Sequence, residues 1–153
     1  AGEFTEVKSF VQNGYWKQEV EDNAYVLLRT KDGVVAMLHS SATQWQHKFE
    51  LEISMQLGTI LLSGILSGSK SYGEEKITVL RKTQNSGSLT QSTTKYLEDN
   101  SWGAEIEEFL ETILNDQPVL YGNSTDALRS MELVFKIYCA DPGWSEKYNI
   151  ECV

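Results

Sequence analysis

The sequence predicts an α+β domain: an open, predominantly antiparallel β-sheet with two C-terminal helices packed on one of its faces. Three observations carry that expectation. Residues 23–63 hold four short apolar segments separated by turn chemistry, too short and too β-branched for helices. Within them, residues 48–55 alternate polar and apolar side chains, the period of a strand with one wet and one buried face. From Asn100 the period changes to that of an α-helix. Strands followed by amphipathic helices place the helices together on one side of an antiparallel sheet.

Taken in order, residues 4–11 mix β-branched and aromatic side chains and read as a first strand, ended by Asn13-Gly14. Tyr15-Trp16 falls in a segment too short to classify. Residues 25–28 lead into Lys31-Asp32-Gly33, and residues 34–38 lead out. An Asp-Gly pair between apolar runs predicts a tight antiparallel hairpin with both turn positions at positive φ. Residues 48–55, a turn at Leu57-Gly58 and residues 59–62 extend this into a four-strand meander whose apolar face needs a cover. Residues 64–73, rich in Gly and Ser, read as a loop or a short edge segment, residues 76–81 as another strand, and residues 83–94 as an exposed, mobile loop.

Trp102, Ile106, Phe109, Leu110, Ile113 and Leu114 then form one helical stripe, with Glu105, Glu107 and Glu108 near its positive N-terminal end. Gln117-Pro118 stops this helix. A second opens at Asn123 or Ser124, either of which can cap it, and runs to about Ala140. Its stripe is Leu128, Met131, Phe135 and Tyr138, with Val134 and Cys139 beside it, and Asp141-Pro142-Gly143 terminates it.

At 153 residues the chain is read as a single domain, 1–153, large enough to fold without metals or disulfides. Its formal charge of −9 lies entirely in residues 96–153, which hold twelve acidic and three basic side chains. That excludes nucleic acid as an expected partner, since such binding draws its affinity from Lys and Arg on phosphates. No apolar run has the length of a membrane span and no leader precedes the first strand, so the expected setting is the cytoplasm. The two cysteines, Cys139 and Cys152, are too few and too peripheral for a disulfide framework and are expected to be free thiols.

The chemistry of known catalytic motifs is absent. The sequence contains no G-x-G-x-x-G, G-x-x-x-x-G-K-[ST], G-x-S-x-G, C-x-x-C or H-E-x-x-H pattern, and with only His39 and His47 it cannot build an all-His metal site. Neither catalytic nor metal-binding residues are assigned. One polar cluster stands out, Gln44 to Lys48. There Trp45 could stack on a sugar ring while Gln46, His47 and Lys48 hydrogen-bond its hydroxyls; alternatively Trp45 plugs the sheet edge and its neighbours face water. His39, among apolar strand residues, reads as a core histidine, Trp102 and Trp144 as packing residues at helix ends, and Arg29 and Arg81 as surface charges. Residues 25–28 and 34–38 are apolar on both faces, which implies a second layer over the sheet: a dimer partner or a further piece of protein.

The run of residues 20–33, the strand 34–41, a polar loop, then Leu51-Glu52-Ile53 with Leu57-Gly58-Thr59-Ile60, resembles the C-terminal domain of the Gfo/Idh/MocA oxidoreductases, the glucose-fructose oxidoreductase and inositol dehydrogenase relatives. Glu105-Ile106-Glu107-Glu108-Phe109-Leu110, the Gln117-Pro118 break and residues 125–132 look similar too. Met55-Gln56 departs from the pattern, standing where relatives often carry a Gly. The resemblance implies a parent that moves a hydride between NAD or NADP and a sugar or polyol carbon, with a preceding Rossmann domain holding the cofactor. None of that domain's motifs matches a position here, so this chain is expected to bind no cofactor and to be inactive alone. Its implied role is a substrate wall, with Trp45, Gln46, His47 and Lys48, and a sheet surface for a homodimer. The alternative is a standalone relative acting as a non-enzymatic oligomerisation or small-ligand-binding module. An unrelated α+β small-molecule binder is a third option, which a closed apolar pocket between sheet and helices would indicate.

Overall fold

The computed structural model describes residues 2–67, 69, 71–83 and 88–152. Among them are seven strands and three helices: β1 (Phe4–Gln12), β2 (Asn23–Thr30), β3 (Val35–Ser41), β4 (Glu50–Met55), β5 (Gly58–Ser63), β6 (Lys76–Lys82), β7 (Leu89–Lys95), α1 (Ser101–Leu114), α2 (Ser124–Cys139) and α3 (Pro142–Lys147). The class is α+β and all strand pairings are antiparallel. The single meander expected from the sequence is instead two sheets, β1-β2-β3 and β4-β5-β6-β7, because eight residues without strand pairing separate β3 from β4. Two compact units result, one of residues 1–43 with 118–153, the other of residues 44–117.

In the first unit, strand alternation sorts the side chains. Val11, Ala24, Val26 and Leu28 point to one face and join Ile137 of α2 and Trp144 of α3 in the buried core. The β1 edge is tied to the helices by two hydrogen bonds: Ser9 Oγ donates to the Ile137 carbonyl at 2.6 Å, and the Val11 N–H donates to Asp141 Oδ2 at 2.7 Å. The β2–β3 hairpin is present, but its loop is three residues long. Gly33 N donates to the Thr30 carbonyl, Thr30 N to the Val34 carbonyl, and only Gly33 has positive φ, at 86°. That is a type I turn closed by a left-handed Gly, not the two-residue turn that the Asp-Gly pair suggests.

The opposite face of this sheet is exposed and carries a cluster of apolar side chains beside Glu6, Lys8 and Arg29. Phe10 pairs with Tyr25 and Tyr25 with His39; Leu27 pairs with Met37, which is 82% exposed. His39 is therefore not the core histidine expected; its ring stacks on Tyr25 at 4.3 Å on the exposed face.

The helix limits agree with their local signals. Asn123 caps α2 by accepting from the N–H groups of Thr125 and Asp126, and Asp126 returns a bond to the Asn123 N–H. After α2 the chain does not simply stop: Asp141 caps the short α3, with Pro142 at its first position. Asn149, with φ of 51°, then reverses the tail, and Ile150 packs on the core. This return brings Cys152 to Cys139, and the two form a disulfide with Cα atoms 5.5 Å apart. The free thiols expected are thus corrected: α3, unseen in the sequence, makes two peripheral cysteines neighbours. The pairing also removes the cysteine argument for a reducing compartment.

In the second unit, β4 to β7 run in sequence order. The β4–β5 turn is Gln56-Leu57 rather than Leu57-Gly58, since Met55 already pairs with Gly58. The loop expected over residues 83–94 is interrupted by β7, an edge strand of seven exposed residues; positions 84–87 lie outside the described residues. α1 carries no buried residue, and Trp102, expected to pack at its start, is 77% exposed. Its glutamates lie beyond the first turn, which holds no acidic side chain, so their dipole contribution is small. No helix of the described residues is long and apolar enough to cross a membrane.

Candidate functional site

Strand register builds the floor of the site. Glu50, Ser63 and Lys76 are cross-strand neighbours at one end of β4, β5 and β6, so their side chains share a face. Residues 44–49 run into β4 beside this row, anchored where Gly64 N donates to the Phe49 carbonyl at 3.0 Å. The loop after β5 returns along the other side. Together they enclose an open groove of about 650 Å³, lined by residues 44–50 and by Ser63, Gly64, Tyr72, Glu74 and Lys76. Gly64 is obligatory here: its φ is +73°, and a Cβ would run into the Glu74 carbonyl.

All four residues singled out in the sequence line this groove. Trp45 is 99% exposed, so it plugs no sheet edge and offers a free ring face. His47 is held from two sides, by a hydrogen bond between Nδ1 and Ser71 Oγ at 2.7 Å and by Tyr72, whose ring centre is 5.0 Å away. Lys48 Nζ lies 3.0 Å from Glu50 Oε2. Gln46 is exposed beside them.

The residues that sequence reading missed, Tyr72, Glu74 and Lys76, come from a segment about twenty-five positions downstream. Tyr72, an aromatic side chain inside a Gly- and Ser-rich run, was the available signal. Glu74 forms an ion pair with Lys95 at 2.9 Å. The hydrogen bond and charge of Lys95, with Lys76 adding to them, hold the Glu74 carboxyl below the usual carboxylate range. The groove thus presents one ring platform, ionised acceptors and ammonium donors, the set that grips a ring carrying hydroxyl groups.

Among the described residues no group of three or more His, Cys, Asp or Glu could hold a metal ion. A dinucleotide fares no better against these residues. Its pyrophosphate needs a Gly-rich turn between a strand and a helix N-terminus, and no described strand leads directly into a helix by such a turn.

Residues 1–61 match the family model described as the GFO/IDH/MocA C-terminal domain. Among solved structures, the chain is similar to UDP-N-acetylglucosamine 3-dehydrogenase GnnA from Acidithiobacillus ferrooxidans, with a TM-score of 0.72 and 16% identity over 93% of this chain. The chain spans 43% of that protein's length. No curated protein matches it in sequence. The sequence match is thus confined to residues 1–61, and what the chain shares with the solved dehydrogenase over most of its length is the fold.

Proposed function

We propose that this chain is the substrate-binding and oligomerisation domain of an NAD(P)-dependent oxidoreductase acting on a sugar or polyol, and that it has no turnover by itself. The observation that carries the reading is the groove in which a free Trp45 ring stands beside His47, Lys48, Glu50 and Glu74. The dehydrogenase of similar fold is named for a sugar nucleotide, which supports the same substrate class. Hydride transfer would require a second domain holding the dinucleotide, and no step of it is assigned to residues of this chain. The apolar face carrying Phe10, Tyr25, Leu27 and Met37 is the proposed homodimer surface.

A non-enzymatic ligand-binding module is the second reading. In its favour, every residue lining the groove comes from residues 44–76, so binding would need no other domain. Titration of the chain with methyl glycosides, followed by the Trp45 fluorescence or by calorimetry, tests the common ground. Trp45→Ala is expected to weaken binding by about fivefold, the value of one lost ring contact. No binding of any methyl glycoside by the unaltered chain would overturn the carbohydrate assignment, and NAD(P)H oxidation by the chain with any sugar would overturn the claim of inactivity.

A further inference from the structure

Glu74 lines two hollows. On one side is the groove described above; on the other is a second cavity of about 660 Å³, lined by Leu66, Ser67, Gly73, Lys95, Tyr96, Leu97 and Asp99 with Glu74 itself. The two belong to the same compact unit and share Glu74 as their common wall, and Glu74 is ion-paired with Lys95 of the second hollow. Their linings differ in kind. The first is charged and carries Trp45, whereas the second is lined by a half-buried Leu66 and by exposed Tyr96 and Leu97, the last being 85% exposed.

The second hollow is built rather than accidental, because hydrogen bonds fix three sides of it to neighbouring acidic residues. Leu66 N donates to Glu75 Oε2 at 2.8 Å, Tyr96 N donates to the Glu75 carbonyl at 2.9 Å, and Lys95 Nζ donates to Glu74 Oε1 at 3.1 Å. Its far side is closed by Asp99, whose carboxylate accepts from both the N–H and the hydroxyl of Ser101 at the start of α1. An apolar side chain as exposed as Leu97, beside a tyrosine ring, costs free energy in water and gains it when a ring covers it.

We propose that the two hollows form one two-compartment site, and that the hollow of Leu66, Tyr96 and Leu97 takes an aromatic or apolar ring glycosidically joined to the sugar held over Trp45. The substrate class is then a glycoside with a planar aglycone rather than a free sugar. The linkage crosses the Glu74–Lys95 pair, where a carboxylate acceptor and an ammonium donor meet the oxygens flanking a glycosidic bond. This inference rests on the carbohydrate reading of the groove and narrows it.

Matched pairs of methyl and phenyl β-glycosides of glucose, galactose and N-acetylglucosamine separate the two claims by calorimetry. The phenyl member of a pair is expected to bind at least about fivefold tighter than its methyl counterpart. Leu97→Ser, at a position too exposed to threaten folding, should erase that advantage and leave the methyl glycoside unchanged, while Trp45→Ala should weaken both. Equal affinities for methyl and phenyl members, or a phenyl advantage that survives Leu97→Ser, would overturn the second compartment while leaving the groove reading intact. If no member of any pair binds, both fall.

Discussion

Asp141 serves the fold with both carboxylate oxygens: Oδ2 accepts from the Val11 N–H on the open edge of β1, and Oδ1 accepts from the Trp144 N–H to cap α3. Tyr138 makes the neighbouring tie. Its hydroxyl donates to Glu21 Oε2 at 2.6 Å, and burial, with the Glu21 hydrogen bond and charge adding to it, pushes its pKa up to about 12. A pKa raised on folding contributes stability that is complete below the unfolded value near 10 and is lost as pH rises through the folded value. The midpoint of urea unfolding should therefore fall more steeply between pH 10 and about 12 for the wild type than for Tyr138→Phe, the window set by those two values. Parallel curves would deny the hydroxyl this role. The disulfide is the third tie. With its cysteines 13 positions apart, the chain-entropy account predicts a loss of about 3 kcal/mol for Cys152→Ser, measured by chemical denaturation, with no further loss on adding reductant. An unchanged midpoint in the variant would show that the tail is held by Ile150 and Tyr148 alone.

Local signals decided most of the elements. The α2 cap, the end of α1 before Pro118 and the hairpin at Gly33 each depend on residues within four or five positions of one another, and each is where such signals place it. α3 could have been read the same way, since Asp141-Pro142 is a cap followed by a residue suited to the first helical position; the reading of that pair as a stop obscured it. β7 could not. Its Thr-rich sequence has no apolar alternation, because a seven-residue edge strand with every side chain exposed needs none. Gly58 shows how one element constrains another: a Cβ there would collide with the Leu80 carbonyl of the paired strand β6. Gly58→Ala is expected to destabilise the second unit by about 2 kcal/mol, as overpacking does. A variant with wild-type thermal stability would mean that β5 and β6 can separate at that end without cost.

For the molecule as a whole, the uncovered face of the first sheet is the dominant unexplained surface. The row of Phe10, Tyr25 and His39, and the Leu27–Met37 pair beside Lys8, place large apolar side chains next to one another on a face whose charged residues are Lys8 and the Glu6–Arg29 pair. Light scattering over a dilution series is expected to give the mass of a dimer, and the double variant Leu27→Lys with Met37→Glu that of a folded monomer. A wild-type chain that stays monomeric at high concentration would assign the face to some other cover. The expectation of a second layer comes from residues 25–28 and 34–38, which are apolar on both sides.

What could be read along the chain was whatever is written in its near neighbours: the α+β class, the strand periods, the helix limits and a polar cluster around Trp45. What had to wait for the fold was every feature made by residues far apart. The division into two sheets, the stacking of His39 on an exposed face, the meeting of Cys139 with Cys152 and the arrival of Tyr72 and Glu74 opposite His47 all depend on how loops close. Side-chain periodicity tells a residue which face it shares with its neighbours. It carries no information about which distant segment will cover that face, because loop closure depends only weakly on length and the pairing is chosen by the packing of the assembled whole.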